Sequence, residues 1–214
     1  MAFSVAGEGR MRIRELRVEG AYELTPEVFG DERGYFLSPY QEEPFLREVG
    51  RPLFPVAQAS YSRSRRGVVR GVHFTATPPG MAKYAYCAGG VALDVVLDTR
   101  VGSPTYGVWD SVVLDQRDFR SVYLPVGVGH LFVALEDDTA VSYLLSTGYV
   151  AQNELAVSPL DPDLGLPLPR DLDLILSERD RRAPTLAEAE RAGILPDYAV
   201  SRSLDGLRPA EHGT

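Results

Sequence analysis

His73 and Lys83 stand ten residues apart in "RGVHFTATPPGMAK" (70–83), in a chain with only three histidines. A β-type run carries the histidine. A Pro-Pro-Gly turn follows, and the next β-type run opens on the lysine. A histidine, titrating near about 6.5, suits the role of general base. A tyrosine suits the acid, and a fixed lysine cation stabilises an enolate where its charge develops. Those three groups suffice to abstract a proton α to a carbonyl. Spacing alone leaves the plainer reading open, in which a core histidine or tyrosine simply has a satisfied hydrogen bond.

Other chemistries find less support. His73 is followed by Phe74 and Thr75, and His130 stands alone in "GVGHLF", so no His-x-His pair with an adjacent carboxylate suggests a metal. No G-x-S-x-G elbow occurs, and Cys87 has no histidine near it in sequence. No G-x-G-x-x-G follows a β-type run, which argues against a nicotinamide or flavin site.

The elements that must position these groups are short and β-rich. "RIRELRVEGAYEL", "GYFLSPY", "GVVRGVHF", "KYAYCAGGVALDVVLDT", "YGVWDSVVL", "SVYLPVGVGHLFVAL" and "AVSYLLSTGYV" follow one another between Gly, Pro, Asp and Asn. That pattern predicts an antiparallel sandwich or barrel. Period two puts His73 on one face with Val69 and Gly71, opposite Arg70, unless a bulge at Gly71 brings both to one cavity. It puts Tyr143 on one face with Val141 and Leu145. Helices are few. "TPEVFGDE" reads as a brief one, and "EEPFLREVG" as one or two amphipathic turns. The clearest is "APTLAEAERAGILPDY", with Thr185 as cap, Glu188 three positions on, and Gly193 and Pro196 as stops. The last residues, "SRSLDGLRPAEHGT", are polar and read as a mobile tail, with His212 inert. The first ten residues read as a flexible extension before Met11.

A length of 214 residues suggests one domain with a sizeable core. Apolar content of 44% and charged content of 24% are those of a soluble globular chain. The net charge of −8 argues against a nucleic-acid partner. The short basic run Arg63, Arg65, Arg66 and Arg70 reads as a solvated edge strand, or as a local pocket for a small phosphorylated ligand. The single Cys87 excludes an internal disulfide, fits a reducing cytoplasm and reads as a small buried residue. No stretch has the length of a membrane span, and the N-terminus lacks the apolar core of a signal peptide.

Seven motifs then occur in order: "FGDERGYF" (29–36), "RGVHF" (70–74), "AK" (82–83), "DVVLDTRVGSPTYGVW" (94–109), "YLPVGVGHLF" (123–132), "DPDLG" (161–165) and "LSERDRRAP" (176–184). Together they resemble the dTDP-4-dehydrorhamnose 3,5-epimerase family over roughly residues 12–198. The resemblance implies an all-β, cupin-type jelly roll with a few short, mainly C-terminal helices. It implies a single domain, a homodimer, a dTDP-4-keto-deoxyhexose substrate, and neither metal nor cofactor. His73 falls on the family's catalytic base, Asp180 on its carboxylate partner and Tyr143 on the acid. Lys83 and His130 fall near the sugar carbonyl. Arg33 and Arg70 match positions holding the nucleotide diphosphate, and Phe29, Gln58, Tyr149, Glu154 and Arg179 match further nucleotide contacts.

The chain also departs from the rhamnose-pathway pattern. Ser60 replaces an Asn, Ser38 stands where Glu is usual, Tyr86 where an Arg follows the lysine, and Pro159 replaces a Trp. Leu144 and Gly148 stand where Lys and Tyr are common. These departures resemble the antibiotic-deoxysugar branch, close to its C5-epimerases. Three functions follow as expectations: inversion at C5 or C3 alone, full 3,5-epimerisation, or a catalytically inactive sugar-nucleotide-binding protein.

Overall fold

The computed structural model describes residues 11–206. Two antiparallel sheets face each other. One has six strands, in the order β1 (Arg12–Glu15), β2 (Tyr22–Thr25), β10 (Ser121–Leu124), β7 (Lys83–Gly89), β12 (Thr139–Leu145) and β5 (Gln58–Ser64). The other has five, in the order β13 (Glu154–Ala156), β6 (Val69–Thr75), β11 (Val128–Ala134), β8 (Ala92–Asp98) and β9 (Trp109–Leu114). The fold is the cupin-type jelly roll expected.

Period two explains the core. Along β11, Val128 and Phe132 point between the sheets, where they pack with Ala85, Val96, Leu114 and Val141. Leu131 and Val133 point outward, yet are buried under Val157, Leu186 and Ala189 from the C-terminal part of the chain. With both faces covered, this strand is buried along its whole length. The outer face of the six-stranded sheet is covered in turn. Tyr84 and Tyr123 pack there with Phe45 of helix α1 (Glu42–Val49). Of the basic run only Arg63 lies on an edge strand, β5; Arg65 and Arg66 follow it, and Arg70 lies on β6, inside the five-stranded sheet. Cys87 is buried, as expected.

Two expectations need correction. "TPEVFGDE" is no helix: Val28–Asp31 forms β3, which pairs with β4 (Gly34–Leu37) in a separate hairpin. Asp31 Oδ1 accepts from the Arg33 N–H at 2.8 Å, so a local side-chain bond closes the turn. Nor does the chain become a tail at Ser201. Tyr198–Gly206 forms helix α4, with Leu204 against the Tyr84 and Tyr123 cluster. The Asp205 carboxylate accepts from the Val126 N–H at 3.2 Å and lies 3.6 Å from Arg51. Largely polar docking of this kind leaves little hydrophobic pattern to read. The expected N-terminal extension, and residues 207–214 with His212, lie outside the described residues. Helix α3 (Leu186–Arg191) has the expected capping box between Thr185 and Glu188. Among the described residues no helix is long and apolar enough to cross a membrane.

Candidate active site

A cavity of about 630 Å³ opens between the sheets. Its geometry starts at Gly71. On β6 the chain takes three steps, Arg70 to His73, where β11 takes two, Phe132 to His130. This is the anticipated bulge. Gly71 has φ +134°, and a Cβ there would lie 2.5 Å from the His130 carbonyl oxygen. Only glycine fits both demands. The extra residue brings Arg70 and His73 to the same cavity.

His73 is half-buried, and its Nε2 lies 2.6 Å from Asp180 Oδ1. Asp180 sits in helix α2 (Glu178–Arg181), and its N–H donates to the Oγ of the capping Ser177 at 3.1 Å. Burial works against the Asp180 charge. The hydrogen bond and charge of His73, the Ser177 hydroxyl and the Gly71 N–H outweigh it and hold the carboxyl below its ordinary range. An ionised carboxylate only accepts, so the Nε2 nitrogen is the one that donates to Asp180, and in the neutral imidazole the lone pair is on Nδ1.

Lys83 opens β7 and is 8% exposed. Burial pulls its pKa down; Glu154 opposes this shift and Arg179 adds to it. His130, opposite His73 in the ladder, is buried with Nε2 2.6 Å from Asp94 Oδ2. Its ring meets that of Tyr143 edge-on, with centroids 5.8 Å apart. Burial pushes the Tyr143 phenol well above its ordinary pKa, and the Asp94 charge adds to the push.

The rim is polar. Gln58 donates from Nε2 to Ser60 Oγ at 2.8 Å and accepts from the Tyr149 N–H at 2.9 Å. Thr75 donates to Glu154 at 2.6 Å. Arg70 donates to Ser64 Oγ at 3.2 Å, and Arg179 donates to the Leu155 carbonyl at 3.2 Å.

Of the residues expected at the site, His73, Lys83, Tyr143, Asp180, Arg70, His130, Gln58, Tyr149, Glu154 and Arg179 all line this one cavity. Phe29 and Arg33 do not. They lie on the β3–β4 hairpin, where Arg33 pairs with Asp31. Sequence reasoning missed Asp94 as the buried partner of His130. The signal was available: Asp94 is a carboxylate sharing a strand face with the apolar Ala92 and Val96. Among the described residues no group of three or more His, Cys, Asp or Glu could hold a metal ion.

Comparison with known proteins places this arrangement. The family model for dTDP-4-dehydrorhamnose 3,5-epimerase matches residues 15–188. The chain belongs to that family. It is 49% identical over 189 residues to a dTDP-4-dehydrorhamnose 3,5-epimerase of Mycolicibacterium smegmatis, covering 88% of this chain and 92% of that one. The fold matches the crystal structure of NovW, a 4-keto-6-deoxy sugar epimerase from the novobiocin gene cluster of Streptomyces spheroides. The TM-score is 0.86 at 48% identity, over 94% of this chain and 100% of NovW. It also matches ChmJ, a 3'-monoepimerase from Streptomyces bikiniensis solved with dTDP-quinovose. Here the TM-score is 0.86 at 44% identity, over 91% of this chain and 98% of ChmJ. Like its family, the chain is an epimerase, an isomerase of deoxysugar biosynthesis.

Proposed function

We propose that the chain inverts one carbon next to the C4 ketone of a dTDP-4-keto-deoxyhexose. The observation that carries this reading is the convergence of the His73–Asp180 pair, Lys83 and Tyr143 on one cavity. The ketone acidifies the hydrogens on C3 and C5. His73 takes one of them on Nδ1, and the C–H electron pair moves toward the C4 oxygen. Lys83, with His130, stabilises the enolate charge as it forms. Asp180 holds the imidazolium that results. Tyr143 then gives its phenolic proton to the carbon from the opposite face, and the C4 carbonyl is restored. Acid, base and cation are all side chains of this protein, so the reaction calls for no cofactor.

The remaining expected residues are read as substrate contacts. Arg70 holds the diphosphate, and Gln58, Tyr149, Glu154 and Arg179 make further contacts to the nucleotide. Phe29 and Arg33 lie outside the chain's own cavity, on a hairpin whose Phe29, Tyr35 and Phe36 are 47%, 57% and 62% exposed. That exposure supports a homodimer in which each hairpin meets the second copy. The chain works as a single epimerase domain. The lone cysteine supports a cytoplasmic location.

ChmJ is described as acting at the 3' position, which favours C3 over C5 as the single carbon inverted. The 49% identity to a 3,5-epimerase supports a second reading, inversion at both. Incubation with dTDP-4-keto-6-deoxyglucose in D2O, followed by NMR, separates these. Deuterium enters at C3 alone, at C5 alone, at both, or at neither if the chain is only a binding protein.

A further inference from the structure

Strand β5 presents Gln58, Ser60, Ser62 and Ser64 on alternate positions, and the first three line the cavity. Three of the four side chains are engaged. Gln58 bonds Ser60, and Ser64 accepts from Arg70. Ser62 differs: its Oγ is sealed from solvent and has no hydrogen-bond partner among the described residues. An alanine would fill this position without a stranded hydroxyl, so the serine calls for an explanation.

Its neighbour supplies one. In the β5–β12 ladder Tyr143 stands opposite Ser60 and Val141 opposite Ser62, so Ser62 lies diagonal to Tyr143 on the shared face. Burial and the Asp94 charge disfavour a Tyr143 phenolate, whereas the Ser62 hydroxyl and the Arg70 charge favour it. Ser62 is near enough to exert that effect, but it does not meet hydrogen-bond geometry with the phenol here. A serine side chain turns about a single bond between staggered positions.

We propose that Ser62 is a positioning residue for proton delivery, its hydroxyl turning onto Tyr143 and donating to the phenolic oxygen as that oxygen loses its proton to the sugar carbon. The Tyr143 O–H bond breaks and a C–H bond forms from the enolate electron pair. The C4 carbonyl returns, and the phenolate oxygen accepts from Ser62. Ser62 itself transfers no proton. This role rests on the reaction proposed above, and it adds a device that acts on delivery and not on abstraction.

The test measures deuterium exchange and inverted product in one sample, for the wild type, Ser62→Ala, Ser62→Thr, Tyr143→Phe and the Ser62→Ala/Tyr143→Phe double variant. Ser62→Ala should lower inversion about tenfold, the usual effect of losing one hydrogen bond to a charged group, with exchange within about twofold of wild type. Ser62→Thr keeps the hydroxyl in a residue suited to strands and should recover most of the inversion. In the Tyr143→Phe background, Ser62→Ala should change nothing further. Ser62 loses this role if Ser62→Ala inverts as wild type does, if exchange and inversion fall together, or if the loss persists without the Tyr143 hydroxyl. A wild-type chain that neither exchanges nor inverts would overturn the reaction itself, and this role with it.

Discussion

His73 and Asp180 meet at 2.6 Å across 107 residues of chain, one on a strand of the five-stranded sheet and the other in a one-turn helix. The short bond fixes which imidazole nitrogen carries the proton. It also keeps the positive charge of a protonated His73 beside a buried carboxylate.

The base is therefore expected to fail in two graded ways. His73→Asn removes the acceptor, and solvent exchange into a dTDP-4-keto sugar should fall by about 10²–10⁴-fold. Asp180→Asn leaves the imidazole in place but removes the charge that orients it, and exchange should fall by about 10²-fold or more. Circular dichroism and thermal unfolding should show both variants folded. If His73→Asn keeps more than about a tenth of wild-type exchange, His73 is not the base.

Lys83 must be charged to stabilise an enolate, and burial lowers its pKa. Its charge is thus lost as pH rises through a value below the ordinary lysine range of about 10.4. Activity should show an alkaline limb below that range. Lys83→Met should lower kcat about 10²-fold or more and abolish the limb, because one preorganised charge is gone. Lys83→Arg should keep part of the rate without the limb, since a guanidinium does not titrate there. A pH–rate profile of the three proteins checks this.

The motif "DTRVGSPTYG" contributes stability. Asp98 and Arg100 are both fully buried, with Nε to Oδ1 and Nη2 to Oδ2 each at 2.8 Å. Thr105 donates to Asp98 at 2.6 Å, and Ser103 donates at 2.5 Å. Arg100→Met strands the carboxylate and should cost about 3–5 kcal/mol. Burial pushes the Asp98 pKa up, but Arg100, Ser103 and Thr105 together carry it below the ordinary range. This contribution is present above the unfolded carboxylate value, about 3.9, and is lost as pH falls through the lower folded value. Denaturant unfolding of wild type and Arg100→Met at pH 7 and pH 3 should show the difference between them shrinking in acid.

The exposed aromatics of the β3–β4 hairpin predict a dimer. Sedimentation should give twice the 23.5 kDa chain mass at micromolar concentration. Phe36→Asp places a charge in that surface and should shift the chain toward monomer. A wild-type monomer under these conditions would remove the basis for a dimer formed through this hairpin.

Period two was readable in the sequence because most strands keep one apolar face, so the burial of Tyr143 with Val141 and Leu145 and the bulge at Gly71 could both be anticipated. Of the β3–β4 hairpin only β4, inside the β-type run "GYFLSPY", was read as a strand; β3 was not. The hairpin's turn depends on Asp31 bonding its own loop, and its aromatic face points away from the core, so nothing in the hydrophobic pattern separates β3 from a short helix. Helix α4 was missed for a related reason: it docks through Asp205 and Leu204, with too few apolar residues to mark a face. Asp94 escaped because nothing in "ALDVVLD" gives this carboxylate a partner until β11 is laid beside β8 and brings His130, two residues along from the Phe132 that faces it, within hydrogen-bond reach.

The last prediction separates acid from base. Inversion needs a proton removed from one face and returned to the other, and a single group cannot do both. Tyr143 lines the same cavity as His73, and its phenol, raised in pKa by burial and by the Asp94 charge, stays protonated at neutral pH. Tyr143→Phe keeps the ring against His130 and removes only the hydroxyl. His73 still forms the enolate, and its captured proton exchanges with water through the open cavity before returning to the original face. Solvent deuterium should therefore still enter the reacting carbon, while inverted product falls about 10²-fold or more. NMR of one reaction mixture reads both quantities. If the folded variant inverts at the wild-type rate, Tyr143 is a packing residue, and another group must deliver the proton.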